Sequence, residues 1–133
     1  MKKDIVFPKV EDVAIAIIPD ENAENNTWLV YLVNLKKKPL DTVLLVSKGY
    51  GNINGEKVTT STLRHFFYQV RDRNYVKVEL IEEKLTGLSN EFWLSFWCEG
   101  VMYDRKYVFV MESISRMNLT KVPVLEKQGV MIL

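Results

Sequence analysis

The stretch from Trp28 to Gly55 constrains the fold more than any other part of the chain. It holds two runs rich in aliphatic, β-branched and aromatic residues, joined by a short polar link that contains Pro39. Because proline lacks an amide donor, it ends strand pairing in that link. The Asn54-Gly55 pair that follows is the preferred sequence for a two-residue type I′ hairpin turn. We therefore expect an antiparallel β domain, with residues 58–62 returning beside the strand that precedes the turn.

The same pattern recurs along the rest of the chain. Short apolar runs, several of them alternating with polar residues, are spaced by about ten residues, which is typical of a β-sandwich or barrel. The sequence predicts one all-β domain over residues 1–133, an antiparallel β-sandwich of about seven to nine strands. Strands are expected at 10–18, 27–35, 42–48, 58–62, 75–82, 91–99 and 102–111, with short terminal strands at 122–125 and 129–133.

Two segments leave room for short helical turns, at 61–70 and 113–118. In the first, four apolar residues follow the spacing of a helical stripe, but threonine-rich and aromatic composition favours a strand. We expect a strand at 61–70, with one or two helical turns as the alternative, and at most one helical turn at 113–118. The four residues of the stripe are Leu63, Phe66, Phe67 and Val70.

Composition restricts the function classes. The 133 residues carry 18 basic and 17 acidic side chains, a net charge of +1, and this balance disfavours a dedicated nucleic-acid binder. The single cysteine, Cys98, cannot form a disulfide within the chain and is expected to be buried as a small hydrophobe. The first residues lack the apolar segment of a signal peptide and no run is long enough to span a membrane, so we expect a cytoplasmic protein.

No motif with a recognised catalytic spacing is present. The glycines at 49, 51 and 55 differ by one residue from a dinucleotide fingerprint and precede a β-rich segment, whereas that fingerprint opens a helix. With His65 as its one histidine, the chain cannot build a zinc site from two or three histidines. No G-x-S-x-G element surrounds a serine either. We expect no enzymatic activity, no catalytic residues, no cofactor and no metal.

Two tryptophans form the first candidate binding site. Alternation along 91–99 places Trp93 and Trp97 on one strand face, and a tight turn at Glu99-Gly100 pairs Trp97 with Met102 and Trp93 with Lys106. The second pairing allows a cation–π contact. These residues either lie beneath a second sheet or a terminal segment, which we favour, or form a platform for a peptide, a glycan or another subunit.

A cationic cluster is the second candidate. Arg64, His65, Arg71 and Arg73 lie close together in sequence, with Tyr68 and Tyr75 among them. Such a mixture can hold a phosphate, a carboxylate or single-stranded nucleic acid. The favoured interpretation is a solvated strand face whose long side chains cover apolar surface.

One passage resembles a known family. Residues 30–35, a polar link and then residues 39–43 resemble the second-to-third strand passage of immunoglobulin-like bacterial β-sandwich modules of the CARDB type, over about 25 residues. The resemblance implies an immunoglobulin-like sandwich and, by analogy, a role in adhesion or spacing. Those modules are typically exported, whereas no export signal is visible here. The Cys-Trp-Cys framework of antibody domains is also missing.

Two functional hypotheses follow. The first is a non-enzymatic interaction module that binds another protein or self-associates through an aromatic sheet face or edge. The apolar C-terminus, 129–133, agrees with it, since such a segment must pair with this sheet or with the edge of a neighbour. The alternative is a binder of nucleic acid or of an anionic ligand through the cluster from Arg64 to Arg73. No membrane partner is expected.

Overall fold

The computed structural model describes residues 8–22 and 26–133, and within them the protein is all-β. Ten strands are present, together with two 3₁₀ turns, at Glu83–Leu85 and Arg116–Asn118. The predicted fold class is confirmed. The strands are β1 (Val13–Pro19), β2 (Thr27–Asn34), β3 (Leu40–Ile53), β4 (Glu56–Thr59), β5 (Leu63–Val70), β6 (Asn74–Glu82), β7 (Ser89–Cys98), β8 (Val101–Phe109), β9 (Thr120–Val122) and β10 (Lys127–Ile132).

The strands form two antiparallel sheets packed face to face. Sheet I has the order β6-β2-β1-β10-β9, and sheet II has the order β4-β3-β7-β8 with β5 also paired to β3. The long strand β3 pairs with β5 over residues 40–47 and with β4 over residues 50–53. One long strand therefore carries two short partners along the same border of sheet II.

The main core lies between the sheets. Large inward-facing side chains fill it, among them Ile15, Ile17 and Leu32 from sheet I and Phe92 and Phe96 from sheet II. These side chains are essentially inaccessible to water, and burial of such apolar area is the dominant stabilising term in a domain of this size. Cys98 belongs to the same core, as expected.

Two buried polar side chains, Tyr107 and Asn34, connect the sheets through hydrogen bonds to the backbone. The hydroxyl of Tyr107 donates to the backbone oxygen of Val13 at 2.6 Å, which ties sheet II to β1. Burial raises the pKa of Tyr107 to about 12. The side-chain amide of Asn34 donates to three backbone oxygens, of Lys38, Val70 and Arg71, and so anchors the crossing from sheet I to sheet II.

Both predicted tight turns are confirmed. Asn54 and Gly55 have φ angles of 50° and 82°, and they join Ile53 to Glu56 directly across the hairpin. Positive φ at both central residues is the signature of a type I′ turn. Glu99 and Gly100, with φ angles of 50° and 76°, connect β7 to β8 in the same way. The chain reversals therefore follow from local sequence.

The structure also departs from the expected boundaries. Strand β1 begins at Val13 rather than Val10, and β3 extends through two glycines to Ile53. Residues 63–70 form a strand, as favoured, because β3 offers them a partner along its whole first half. The 3₁₀ turn at Arg116–Asn118 lies where a helical turn was expected. The described residues hold ten strands instead of about seven to nine, because the segment after the Asn54-Gly55 turn divides into β4 and β5, which pair with β3 separately.

The outward face of sheet I is covered by the chain itself. Ala14, Ala16 and Ile18 of β1 point away from the main core, yet they are 0–4% exposed. Tyr31 and Val33 of the adjacent strand β2 belong to the same cluster. The remaining side chains that pack on it are Leu29, Leu35, Val122, Val124, Leu125 and Met131. We call this surface the covered face.

Within the described ranges, no helix is both long and apolar enough to cross a membrane. The C-terminal apolar segment pairs inside the molecule, since β10 lies between β1 and β9.

Candidate interaction face

The outward face of sheet II carries large apolar side chains that no described residue covers. Tyr68 is 86% exposed, Phe66 51%, Trp93 48% and Trp97 44%. The favoured burial of the two tryptophans is therefore wrong. Inward positions of β7 are taken by Phe92 and its alternating neighbours, so the tryptophans must point outward. We define the aromatic face as Leu44, Val46, Phe66, Tyr68, Trp93, Trp97 and Met102.

Strand register arranges this face in rows that run across the sheet. One row consists of Arg64, Val46, Trp93 and Lys106, and the next of Phe66, Leu44, Ser95 and Asp104. A third pairing joins Trp97 to Met102. Four strands that are distant in sequence thus contribute to one surface. The register expected between β7 and β8 is confirmed for both predicted pairs, Trp97 with Met102 and Trp93 with Lys106.

Side chains on the face contact one another. The rings of Phe66 and Tyr68 meet edge to face with centroids 5.0 Å apart. The ammonium of Lys106 lies 5.6 Å from the centroid of the Trp93 ring, within the range of a cation–π contact. These contacts restrict the rings of Phe66, Tyr68 and Trp93. A face whose rings are already ordered loses less conformational entropy when a partner binds.

A rim of paired charges borders the face. Glu91 lies 3.9 Å from the ammonium of Lys48 and 3.5 Å from that of Lys106. At the other end, the side-chain amide of Gln69 donates to Asp41 at 3.0 Å. Cations and anions are therefore present in similar number around the apolar centre. This balance contrasts with the one-sign surface that a nucleic acid selects.

Strand geometry gives the size of the apolar centre. Four strands at about 4.8 Å spacing and four residues along β7 span roughly 19 Å by 14 Å, or about 270 Å². The largest apolar patch of a typical monomer is of the same order and is often functional. A stable protein–protein interface buries about 800 Å² on each partner, so this face would supply its centre while the charged rim supplies the remainder.

The predicted cationic cluster does not converge. Arg64 points outward on sheet II, whereas His65 points inward and lies 2.8 Å from Glu79 of β6. Arg71 and Arg73 lie beyond the other end of β5, about 23 Å from Arg64 along the strand. The four side chains thus occupy three separate places. A strand reverses side-chain direction at each residue, which separates Arg64 from His65 although they are adjacent.

Several members of the aromatic face were not selected from the sequence. Leu44, Val46 and Phe66 were considered only as strand or stripe residues, and Tyr68 only as a neighbour of the arginines. The signal was present in the alternation of Arg64, Phe66 and Tyr68, which a strand at 63–70 places near one another. The sequence does not show that β5 pairs with β3, because no local pattern specifies which strands become neighbours.

No group of three or more histidine, cysteine, aspartate or glutamate side chains is placed to hold a metal ion, as far as the described residues extend. No protein-family model matches the chain, and no curated protein resembles it significantly in sequence. The geometry of the aromatic face is therefore the observation on which a function can be based.

Proposed function

We propose that this protein is a non-enzymatic β-sandwich interaction module that binds another protein, or a second copy of itself, through the aromatic face. The observation that carries the proposal is the exposure of Trp93, Trp97 and Phe66 on one ordered surface. Desolvating such rings is a strong source of binding energy, and tryptophan and tyrosine are enriched at the centres of interfaces.

A protein partner agrees better with this surface than a polyanion does. Of the four basic residues in the predicted cluster, only Arg64 borders the aromatic face, and Lys48 and Lys106 already lie near Glu91. Neutralising phosphates would require these cations to leave that carboxylate. Paired rim charges instead provide orientation and specificity toward a protein surface of mixed charge.

A non-enzymatic role is supported by the arrangement around His65. The hydroxyl of Ser47 donates to Glu79 at 2.6 Å, and His65 lies 2.8 Å from the same oxygen. In a hydrolase triad the histidine stands between the serine and the acid, so that it removes the hydroxyl proton. Here the carboxylate of Glu79 stands between the serine and the histidine, so His65 is not placed to remove the proton of the Ser47 hydroxyl.

The strand order supports an immunoglobulin-like assignment of the CARDB type. Strands β1, β2 and β6 lie together in sheet I, and β3, β7 and β8 lie together in sheet II. An immunoglobulin sandwich distributes its strands A, B and E and its strands C, F and G in the same manner. By analogy with the modules that the passage at 30–43 resembles, the proposed role is adhesion or spacing between larger partners.

Light scattering over a concentration series, combined with thermal melting, tests the proposal. The double variant Trp93→Ala/Trp97→Ala is compared with the wild type, and Trp28→Ala serves as the buried control. If the partner is a second copy, the average mass of the wild type rises with concentration and that of the double variant does not. If the partner is another protein, the wild type stays monomeric and the double variant melts within about 3 °C of it.

The buried control fixes the scale of the melting experiment. Trp28 is 2% exposed, and its truncation is expected to cost about 3–5 kcal/mol. A strictly monomeric wild type whose double variant melts many degrees lower, close to Trp28→Ala, would show that Trp93 and Trp97 are structural. That result would remove the interface argument.

A further inference from the structure

A cavity of about 240 Å³ lies between the two sheets, at the border where β5 and β6 face each other without pairing. Its walls come from β3, the link between β4 and β5, β6 and β7. It is separate from the aromatic face, since it opens toward the interior side of sheet II. Leu63, Ile81, Leu85 and Phe92 supply its apolar lining.

Glu79 supplies the charge of this cavity. Its side chain is only 12% exposed, and one carboxylate oxygen, Oε1, receives both the hydroxyl of Ser47 at 2.6 Å and Nε2 of His65 at 2.8 Å. The other oxygen, Oε2, receives no hydrogen bond from the described residues and is not among the fully buried atoms, so it remains accessible to a ligand. A cationic donor that replaces water at this oxygen would form a charge-assisted hydrogen bond beside a largely buried carboxylate.

Two other polar side chains of the cavity, Asn90 and Thr60, have their donors committed to backbone oxygens. The amide nitrogen of Asn90 donates to the backbone oxygens of Leu85 and Leu88, so its Oδ1 remains as an acceptor. The hydroxyl of Thr60 donates to the backbone oxygen of Ser61 at 3.0 Å. Lys48 contributes to the wall, but its ammonium is turned toward Glu91 on the outer face.

We propose that this cavity binds a small primary amine that carries a compact apolar body. An ammonium group supplies up to three donors and one positive charge, which match Oε2 of Glu79 and Oδ1 of Asn90. The volume accommodates roughly eight to ten heavy atoms at about 25–30 Å³ each. The apolar wall receives the body of the ligand, and the carboxylate selects the amine against a neutral alcohol of the same shape.

Protein-detected NMR titration with phenethylamine tests the proposal, with 2-phenylethanol as the neutral probe of matched shape. Saturable shifts are expected at backbone amides of the cavity wall, with affinity for the amine about tenfold or more above that for the alcohol. Glu79→Gln keeps the acceptor for Ser47 and His65 and removes the charge, so it is expected to abolish this preference. Trp93→Ala, on the other face of sheet II, is expected to bind the amine as the wild type does.

A second variant decides the matter if Glu79→Gln does not fold. Ser61 lies at the exposed side of the cavity, and Ser61→Asp adds a carboxylate there, so it is expected to bind phenethylamine several-fold more tightly. The proposal is overturned by any of four results: no saturable shifts, equal affinity for the two probes, shifts restricted to the aromatic face, or unchanged affinity in Ser61→Asp. Shifts restricted to the aromatic face would move the amine site to that face, and the other three results leave the aromatic face as an interaction surface untouched.

Discussion

Both outward faces of the sandwich are apolar, but the face of sheet I is buried and the face of sheet II is exposed. On sheet I, the small residues Ala14 and Ala16 share a buried cluster with Tyr31, and the turn between β9 and β10 contributes Val124 and Leu125 to the cover. On sheet II, the outward positions carry some of the largest side chains in the protein, and no described residue packs over them.

The two faces differ in what packs on them. On sheet I, Tyr31 and the turn between β9 and β10 cover the outward side chains. On sheet II, rings are ordered by contacts within the face, such as that of Phe66 with Tyr68, and are left accessible. An accessible apolar surface of this size is often functional, and under the proposed function a partner covers it.

Placing a charge on each face gives the largest expected difference in the free energy of unfolding. Ala16→Lys puts an ammonium at a fully buried position of the covered face, without an acidic partner, and is expected to cost several kcal/mol and to prevent stable folding. Ser95→Lys, at an outward position of β7 opposite Asp104, is expected to change stability by less than about 0.5 kcal/mol. Urea titration monitored by circular dichroism measures both. Equal losses would contradict the distinction between the faces.

Truncating an aliphatic side chain on each face gives a smaller difference in the free energy of unfolding. Ile18→Ala on the covered face removes a side chain that is 4% exposed and is expected to cost about 2–5 kcal/mol. Leu44→Ala on the aromatic face removes one that is 40% exposed, and a loss below about 1 kcal/mol is expected. Thermal unfolding of the two variants provides the comparison. A Leu44 variant as unstable as the Ile18 variant would mean that the aromatic face is packed in the free protein.

Alkaline pH separates protected tyrosines from exposed ones. Burial raises the pKa of Tyr107 to about 12. Burial is also the main cause that raises the pKa of Tyr31 on the covered face, and the nearby Tyr75 and Asp20 raise it further. The unfolded chain releases these protons near about pH 10, so above that pH the native state binds more protons and stability falls as pH rises. The stabilisation is complete below about pH 10, and Tyr107 alone accounts for a loss of about 1 kcal/mol by about pH 11.

Urea titrations at about pH 8 and about pH 11 measure this effect, with one variant as the control. Tyr107→Phe is expected to flatten the alkaline decline. A wild type equally stable at the two pH values would contradict the burial of Tyr107.

The elements that could be predicted from sequence are those with local causes. Asn54-Gly55 and Glu99-Gly100 impose positive φ at adjacent residues, and each turn fixes the register of the strands on either side. The pairing of Trp93 with Lys106 followed directly from the second turn. Strand β5 was harder, since its apolar residues fit both a helical stripe and a strand, and only the partner strand β3 decides between them.

The direction of the tryptophans could not be predicted, because alternation defines two faces of a strand and does not say which is inside. Both faces of β7 carry aromatic residues, and the opposing sheet selects one. The environment of Glu79 has a similar origin. Its partners Ser47 and His65 are 32 and 14 residues away in sequence, and they meet only because β3, β5 and β6 converge at one border.

Accessibility of the two face tryptophans in the dilute free protein tests the central claim most directly. Trp28→Phe removes the one buried tryptophan, whose Nε1 donates to Glu83, and leaves Trp93 and Trp97 as the emitting residues. Acrylamide quenching of this variant at low concentration is expected to approach that of an exposed tryptophan in a peptide. Quenching as weak as that of a buried tryptophan would place both residues in a packed core and contradict the account.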